Sequence, residues 1–131
     1  AEGMNMGTRF IATKEAPVHQ NVKDAIVNAS ELDTRLIMRS LTNTERVLNN
    51  PAVERLIEKE KELGDELTFM DIHDEVAGVY PKIMHEGDMD VGAWSCGMVA
   101  GLINDIPTVK ELIDEIMNEA ETIIQRNSRL L

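Results

Sequence analysis

Gly3-Met4-Asn5-Met6-Gly7-Thr8-Arg9-Phe10-Ile11 is the stretch on which the reading of this chain turns. Met4, Met6 and Phe10 are apolar, and Gly3 and Gly7 relieve crowding at two backbone positions. Met4 to Ile11 therefore predicts a strand followed by a sharp change of direction. Nothing close by offers that strand a partner. A lone strand leaves its backbone N–H and C=O groups unsatisfied, so this piece is not a self-sufficient α/β fold.

Working outward, Pro17 opens a helical stretch in which Val18, Val22, Ala25, Ile26 and Ala29 recur on one face. Thr34 to Ser40 is short and β-permissive, and reads as a strand or an extended connection. Asn50-Pro51 predicts a helix start, because Asn caps and Pro at the first helical position loses no needed donor. Val53, Leu56, Ile57 and Leu63 then form a stripe that Gly64 can terminate in a left-handed conformation. Thr68 is read as the cap of a further helix carrying Phe69, Ile72, Val76, Val79 and Tyr80, which Pro81 ends or kinks. Gly87 to Gly92 is an acidic turn, and the small-residue element Ala93-Trp94-Ser95-Cys96-Gly97-Met98 follows it. Thr108 with Glu111 predicts a capping box. The last helix then presents Val109, Leu112, Ile113, Ile116, Met117, Ala120, Ile123 and Ile124 as an amphipathic stripe.

At 131 residues and 43% apolar, the chain suits one domain with a real core. Thirteen basic against twenty-four acidic side chains give 13 − 24 = −11, a balance that argues against nucleic acid or anionic lipid as partners. No apolar run approaches the ~20 residues of a membrane helix, and no secretory signal is recognised. Cys96 is the single cysteine and cannot form an internal disulfide, so a reducing cytoplasm is the expected setting. The chain opens at Ala1 directly into a structured-looking segment, which suggests a piece of something larger.

Residues Gly3 to Phe10 are similar to the eighth barrel strand of nitronate monooxygenases, formerly 2-nitropropane dioxygenases, and of the FMN-dependent enoyl reductases of bacterial fatty-acid synthesis. Lys14-Glu15 with His19 resembles that family's next helix start, and Arg46 with Asn49 resembles an Arg-x-x-Asn segment. Trp94-Ser95-Cys96-Gly97 resembles a late Trp-Ser-Ala-Gly element. The resemblance covers almost the whole chain, and its specificity lies in four motifs in the correct order. It implies a TIM barrel that binds FMN, with an added helical region beside the active site.

On that resemblance, Gly7 would let backbone approach phosphate oxygens, Thr8 would supply an N–H and a hydroxyl, and Met6 would flank the cofactor. Arg9 could add charge. The alternative is that Gly7 only permits a bulge and Thr8 is an ordinary strand residue. Ser95 corresponds to a serine at the flavin edge, the catalytic-side candidate, and Trp94 would wall the substrate cavity. A buried core Trp and a small Ser allowing close approach are the competing readings. Cys96 and Met98 depart from the Ala and Gln common in the family, which puts in doubt any contact made by that glutamine.

Other constellations are discounted. His19, His73 and His85 lie near Asp71, Asp74, Glu75 and Glu86 but lack metal-ligand spacing, so no metal is expected. Cys96 has no adjacent base to activate it as a nucleophile. The acidic stretches Glu54–Glu66 and Glu111–Glu121 read as solvated faces.

The expected architecture is thus mainly α with one or two short strands, the C-terminal part of a flavin-binding barrel. Residues 1–29 would be the last barrel strand and following helix, 30–92 a helical substrate-side region, 93–126 a late active-site element and terminal helix, and 127–131 a tail resembling an expression remnant. In the intact relative FMN would serve an alkyl nitronate or an enoyl thioester as small-molecule substrate, while this piece alone would be inactive and hold no cofactor. The alternative is a helical module that homo-oligomerises through an apolar face without enzymatic activity.

Overall fold

The computed structural model describes residues 3–129. Its opening lacks the strand expected within Met4–Ile11, although the sharp change of direction expected there is present at Gly7. Residues 4–6 have no regular structure and Thr8–Ile11 form a helical turn, α1. Among the described residues no strand lies alongside to complete a ladder, so the backbone after Gly7 closes on itself instead. The Phe10 and Ile11 N–H groups donate to the Gly7 carbonyl at 3.0 and 3.2 Å.

Among the described residues α1 is followed by α2 (Gln20–Asn28), β1 (Thr34–Ile37), β2 (Glu45–Leu48), α3 (Pro51–Leu63), α4 (His73–Val76), α5 (Tyr80–Met84) and α6 (Val109–Ser128). Chain and expectation agree that the piece is mainly helical with two short strands. β1 and β2 pair antiparallel, Arg35 opposite Val47. β2 escaped the sequence reading because four residues, two of them charged, make too short an alternation to register. Ser95 bridges to Val47, and the Cys96 N–H donates to the Arg46 carbonyl at 3.0 Å, so the Trp94–Cys96 segment runs along the other edge of β2.

Two apolar clusters hold the elements together. One joins Val22 and Ile26 of α2 to Ile83, Trp94, Cys96 and Ile103. The second packs Ile37 and Val47 of the hairpin against Val53 and Leu56 of α3 and Ile72. Burial of such side chains is worth about 1.5–3 kcal/mol each.

The caps at both long helices form as expected. The Asn50 side chain accepts from Val53 N–H with Pro51 at the first turn, and Gly64 ends α3 at φ +54°. Thr108 and Glu111 make both halves of the capping box of α6. The helix expected from Thr68 to Tyr80 is broken. Thr68 does anchor Asp71, but only His73–Val76 are helical, and Gly78 at φ +67° turns the chain before α5. Pro81 therefore sits in the first turn of a new helix rather than ending the old one.

Two further expectations change. The stripe of α6 is mostly uncovered: Leu112 is buried, while Met117 is 54% and Ile124 66% exposed. Amphipathic periodicity identifies a face that wants burial but cannot supply the partner. Asn127 and Ser128 continue α6, whereas the expected tail broke at 127; Leu130 and Leu131 lie outside the described residues.

Candidate functional site

The residues singled out in the opening segment line a groove of about 580 Å³ between that segment and α6, with Met4, Met6, Gly7 and Thr8 on one wall and Leu112 and Ile116 on the other. Gly7 occupies the N-cap position of α1 with ordinary negative φ. A Cβ built on Gly7 would meet nothing within 4 Å, so the backbone there faces open space. The Thr8 and Arg9 N–H groups have no acceptor among the described residues, because the first N–H groups of any helix lack an intrahelical partner.

Thr8 also has a structural duty. Its hydroxyl oxygen accepts the Gly97 N–H at 2.9 Å, which leaves the hydroxyl proton free to donate. Arg9 does not turn its charge to this groove's open end as a free cation. Its guanidinium donates to the Asp105 carboxylate at 2.8 Å and to the Asp105 carbonyl at 3.2 Å.

Trp94 lies in the interior of this chain. It is 1% exposed, at the centre of the first apolar cluster, which is the core role weighed against the cavity role above. Alternation along the segment beside β2 puts Trp94 and Cys96 inward and Ser95 outward. Burial pushes the Cys96 thiol up to about 11, so it stays protonated and inert as a nucleophile.

Ser95 is exposed and tied to two residues that the sequence did not single out. Its N–H donates to the Tyr80 hydroxyl oxygen at 3.0 Å, and the Tyr80 hydroxyl contacts Ser95 Oγ at 2.9 Å. Ser95 Oγ in turn bonds to Glu45 Oε1. No spacing announces this cluster, since its members come from β2, α5 and the Trp94–Cys96 segment. Ser95 and Trp94 do not line the groove that holds Met6, Gly7 and Thr8, although Gly97 does.

The remaining motif residues are wiring. Lys14 N–H donates to the Pro107 carbonyl, and the Glu15 carboxylate accepts the Val109 N–H at 2.9 Å, which pins the start of α6. The Arg46 guanidinium donates to Thr34 Oγ1, while Asn49 joins Glu54. His19 caps α2 through Nδ1 and packs on Gly87. Among the described residues no three metal-ligating side chains converge.

The glycine-containing opening turn is thus bonded to a late Trp-Ser-Cys-Gly element beside a long terminal helix. A family model described as nitronate monooxygenase matches residues 1–119, and the chain belongs to that family. It is 26% identical to a (3aS,4S,5R,7aS)-5-hydroxy-7a-methyl-1-oxo-octahydro-1H-indene-4-carboxyl-CoA dehydrogenase of Mycobacterium tuberculosis, over all of this chain and 46% of that protein. A probable nitronate monooxygenase of Staphylococcus aureus strain MSSA476 is 24% identical over 95% of this chain and 34% of its own length. Among solved structures, FabK from Thermotoga maritima superposes with a TM-score of 0.85 at 32% identity, over 96% of this chain and 39% of FabK. The chain thus spans less than half the length of these relatives.

Proposed function

We infer that this chain forms the phosphate-side wall and part of the substrate rim of an FMN-dependent oxidoreductase of the nitronate monooxygenase kind, and that it does not run the reaction by itself. The observation that supports this is the open turn at Gly7, where two amide protons and the Thr8 hydroxyl proton are uncommitted among the described residues. Those donors fit an anion that approaches closer than any side chain at position 7 would permit. Met6 would flank the cofactor from the same wall. When bound, FMN would supply the redox chemistry, accepting electrons from an alkyl nitronate, or from a nicotinamide in the reductase branch, for transfer to oxygen or an enoyl thioester. The protein's own part is to hold the phosphate at Thr8 and to place Ser95 at the ligand's edge. No helix of the described residues is long and apolar enough to cross a membrane. We place the protein in the reducing cytoplasm.

A titration of the full chain with FMN, followed by amide NMR, tests this. The Thr8 and Arg9 amides should move, with saturation above the micromolar range because most of the barrel walls are not in this chain. Unmoved amides would overturn the phosphate role, and micromolar affinity would overturn the claim that this piece is insufficient.

A second reading is favoured by one observation, the uncovered face of α6. Ile113, Met117, Ile123 and Ile124 are each at least 40% exposed. A helical module of this kind would bury that face against a second copy. Light scattering distinguishes it, since a strict monomer at high concentration has no such interface.

A further inference from the structure

We propose that Glu45 and Tyr80 make Ser95 an obligate hydrogen-bond acceptor, so that this point of the site selects a ligand group bearing N–H or O–H and rejects one offering only lone pairs. The directions follow from the inventory of protons. A carboxylate can only accept, so in the bond between Ser95 Oγ and Glu45 Oε1 the serine hydroxyl donates. Having given its one proton to Glu45, Ser95 Oγ can meet the Tyr80 hydroxyl at 2.9 Å only by accepting. The Tyr80 oxygen takes the Ser95 N–H at 3.0 Å, which fixes the ring's hydroxyl beside the same residue. One Ser95 lone pair and Glu45 Oε2 then remain, and both are acceptors. No cation pairs with Glu45 among the described residues.

The consequence is chemical. A serine at a ligand's edge is ordinarily ambivalent, able to donate or accept. Here the donor role is taken, and the adjacent carboxylate repels anions. An unprotonated ligand oxygen gains nothing from Ser95, so the anionic oxygens of a nitronate would sit away from this point, whereas an amide or imide N–H meets two acceptors side by side. The Tyr80 ring, 43% exposed, offers a flat apolar surface next to them. The placement of Ser95 against a ligand rests on the function proposed above; the polarity of the cluster does not.

The test uses the full chain and a matched pair of probes, benzamide and N,N-dimethylbenzamide, which differ in the N–H donors. Amide NMR reads the Ser95 signal. Benzamide should bind about fivefold more tightly than its dimethyl analogue, the margin expected of one net hydrogen bond near 1 kcal/mol. Glu45→Ala frees the serine proton and removes the second acceptor, and should bring that ratio to about one. Tyr80→Phe should raise the exchange rate of the Ser95 amide. Tyr80 and Ser95 are exposed and Glu45 is half-buried, and Trp94 emission checks that the variants keep their core. Equal responses to the two probes, or none to either, overturn the proposal. Inorganic phosphate added to the same samples reports separately on Thr8 and Arg9. Failure there with the benzamide preference intact removes the phosphate role and leaves the serine polarity standing.

Discussion

The hydroxyl of Thr8 and the backbone N–H of Gly97, 89 positions apart in sequence, meet at 2.9 Å. This bond joins the opening turn to the late element beside β2, so the groove wall and the Ser95 segment are coupled by one side-chain oxygen. Replacing Thr8 by Val keeps the shape and leaves a part-buried N–H without its partner, at a cost of about 1–2 kcal/mol. Thr8→Ser should stay close to the parent. Urea denaturation measures both, and equal midpoints for the two variants would show that the bond contributes nothing.

Gly87 and Gly78 both have positive φ, at +75° and +67°, yet only Gly87 is crowded. A Cβ on Gly87 would fall 2.3 Å from Nδ1 of His19, the residue that caps α2, whereas one on Gly78 meets nothing within 4 Å. Gly78→Ala should cost about 1 kcal/mol from backbone strain alone. Gly87→Ala should cost at least about 2 kcal/mol more, because the imidazole must leave its capping position. Thermal melts of the two variants give the difference directly.

Glu75 is buried, with Lys59 Nζ 3.0 Å from both carboxylate oxygens and the Arg55 guanidinium at 3.7 Å. The pair links α3 to α4. Removing Lys59 strands most of a buried charge, so Lys59→Met should destabilise by about 3 kcal/mol and Arg55→Met by under about 1 kcal/mol. Chemical denaturation at neutral pH ranks them, and a reversed order would mean that Arg55 is the true partner.

Burial raises the Cys96 thiol from an ordinary 9.0 to about 11. Its folded value is the higher one, so its contribution is complete below pH 9 and is lost as pH rises toward 11. Two pH units correspond to about 2–3 kcal/mol. Stability measured from pH 8 to 11 should therefore fall more steeply for the parent than for Cys96→Ala. Parallel curves would contradict the burial argument.

Acid acts at the other end. The Thr108 N–H and hydroxyl hold the Glu111 carboxyl below its ordinary value, with Lys14 adding a smaller effect. A lowered folded value means stabilisation that is present above the ordinary glutamate range and lost as pH falls through the depressed value. The first turn of α6 should fray in that window, read as loss of amide protection at Glu111 and Leu112, whose N–H groups donate to Thr108. Glu111→Gln should show weaker protection at neutral pH and no further acid step.

Local chemistry is legible in the sequence. Asn50-Pro51, Gly64 and the Thr108–Glu111 box each work within four residues of chain, so their geometry follows from residue type alone. The helical break at Gly78 was not legible, since Phe69, Ile72, Val76 and Val79 keep a helical spacing while the chain turns between them. The groove residues Met6, Gly7 and Thr8 could be pointed out by likeness, but their openness could not. Glu45 and Tyr80 left no trace, because residues 50 and 15 positions from Ser95 become neighbours only through the hairpin and α5.

The sequence by itself thus determined the family and the caps of the long helices, all properties of residue types in order. Tertiary structure alone decided that Thr8–Ile11 closes into a helical turn and that Met4–Met6 forms no strand. It also sent Trp94 inward and Ser95 outward and left the α6 stripe bare. A strand, a buried face and a polar cluster each need a partner from elsewhere in the chain, and whether that partner arrives is a matter of packing that no local pattern encodes.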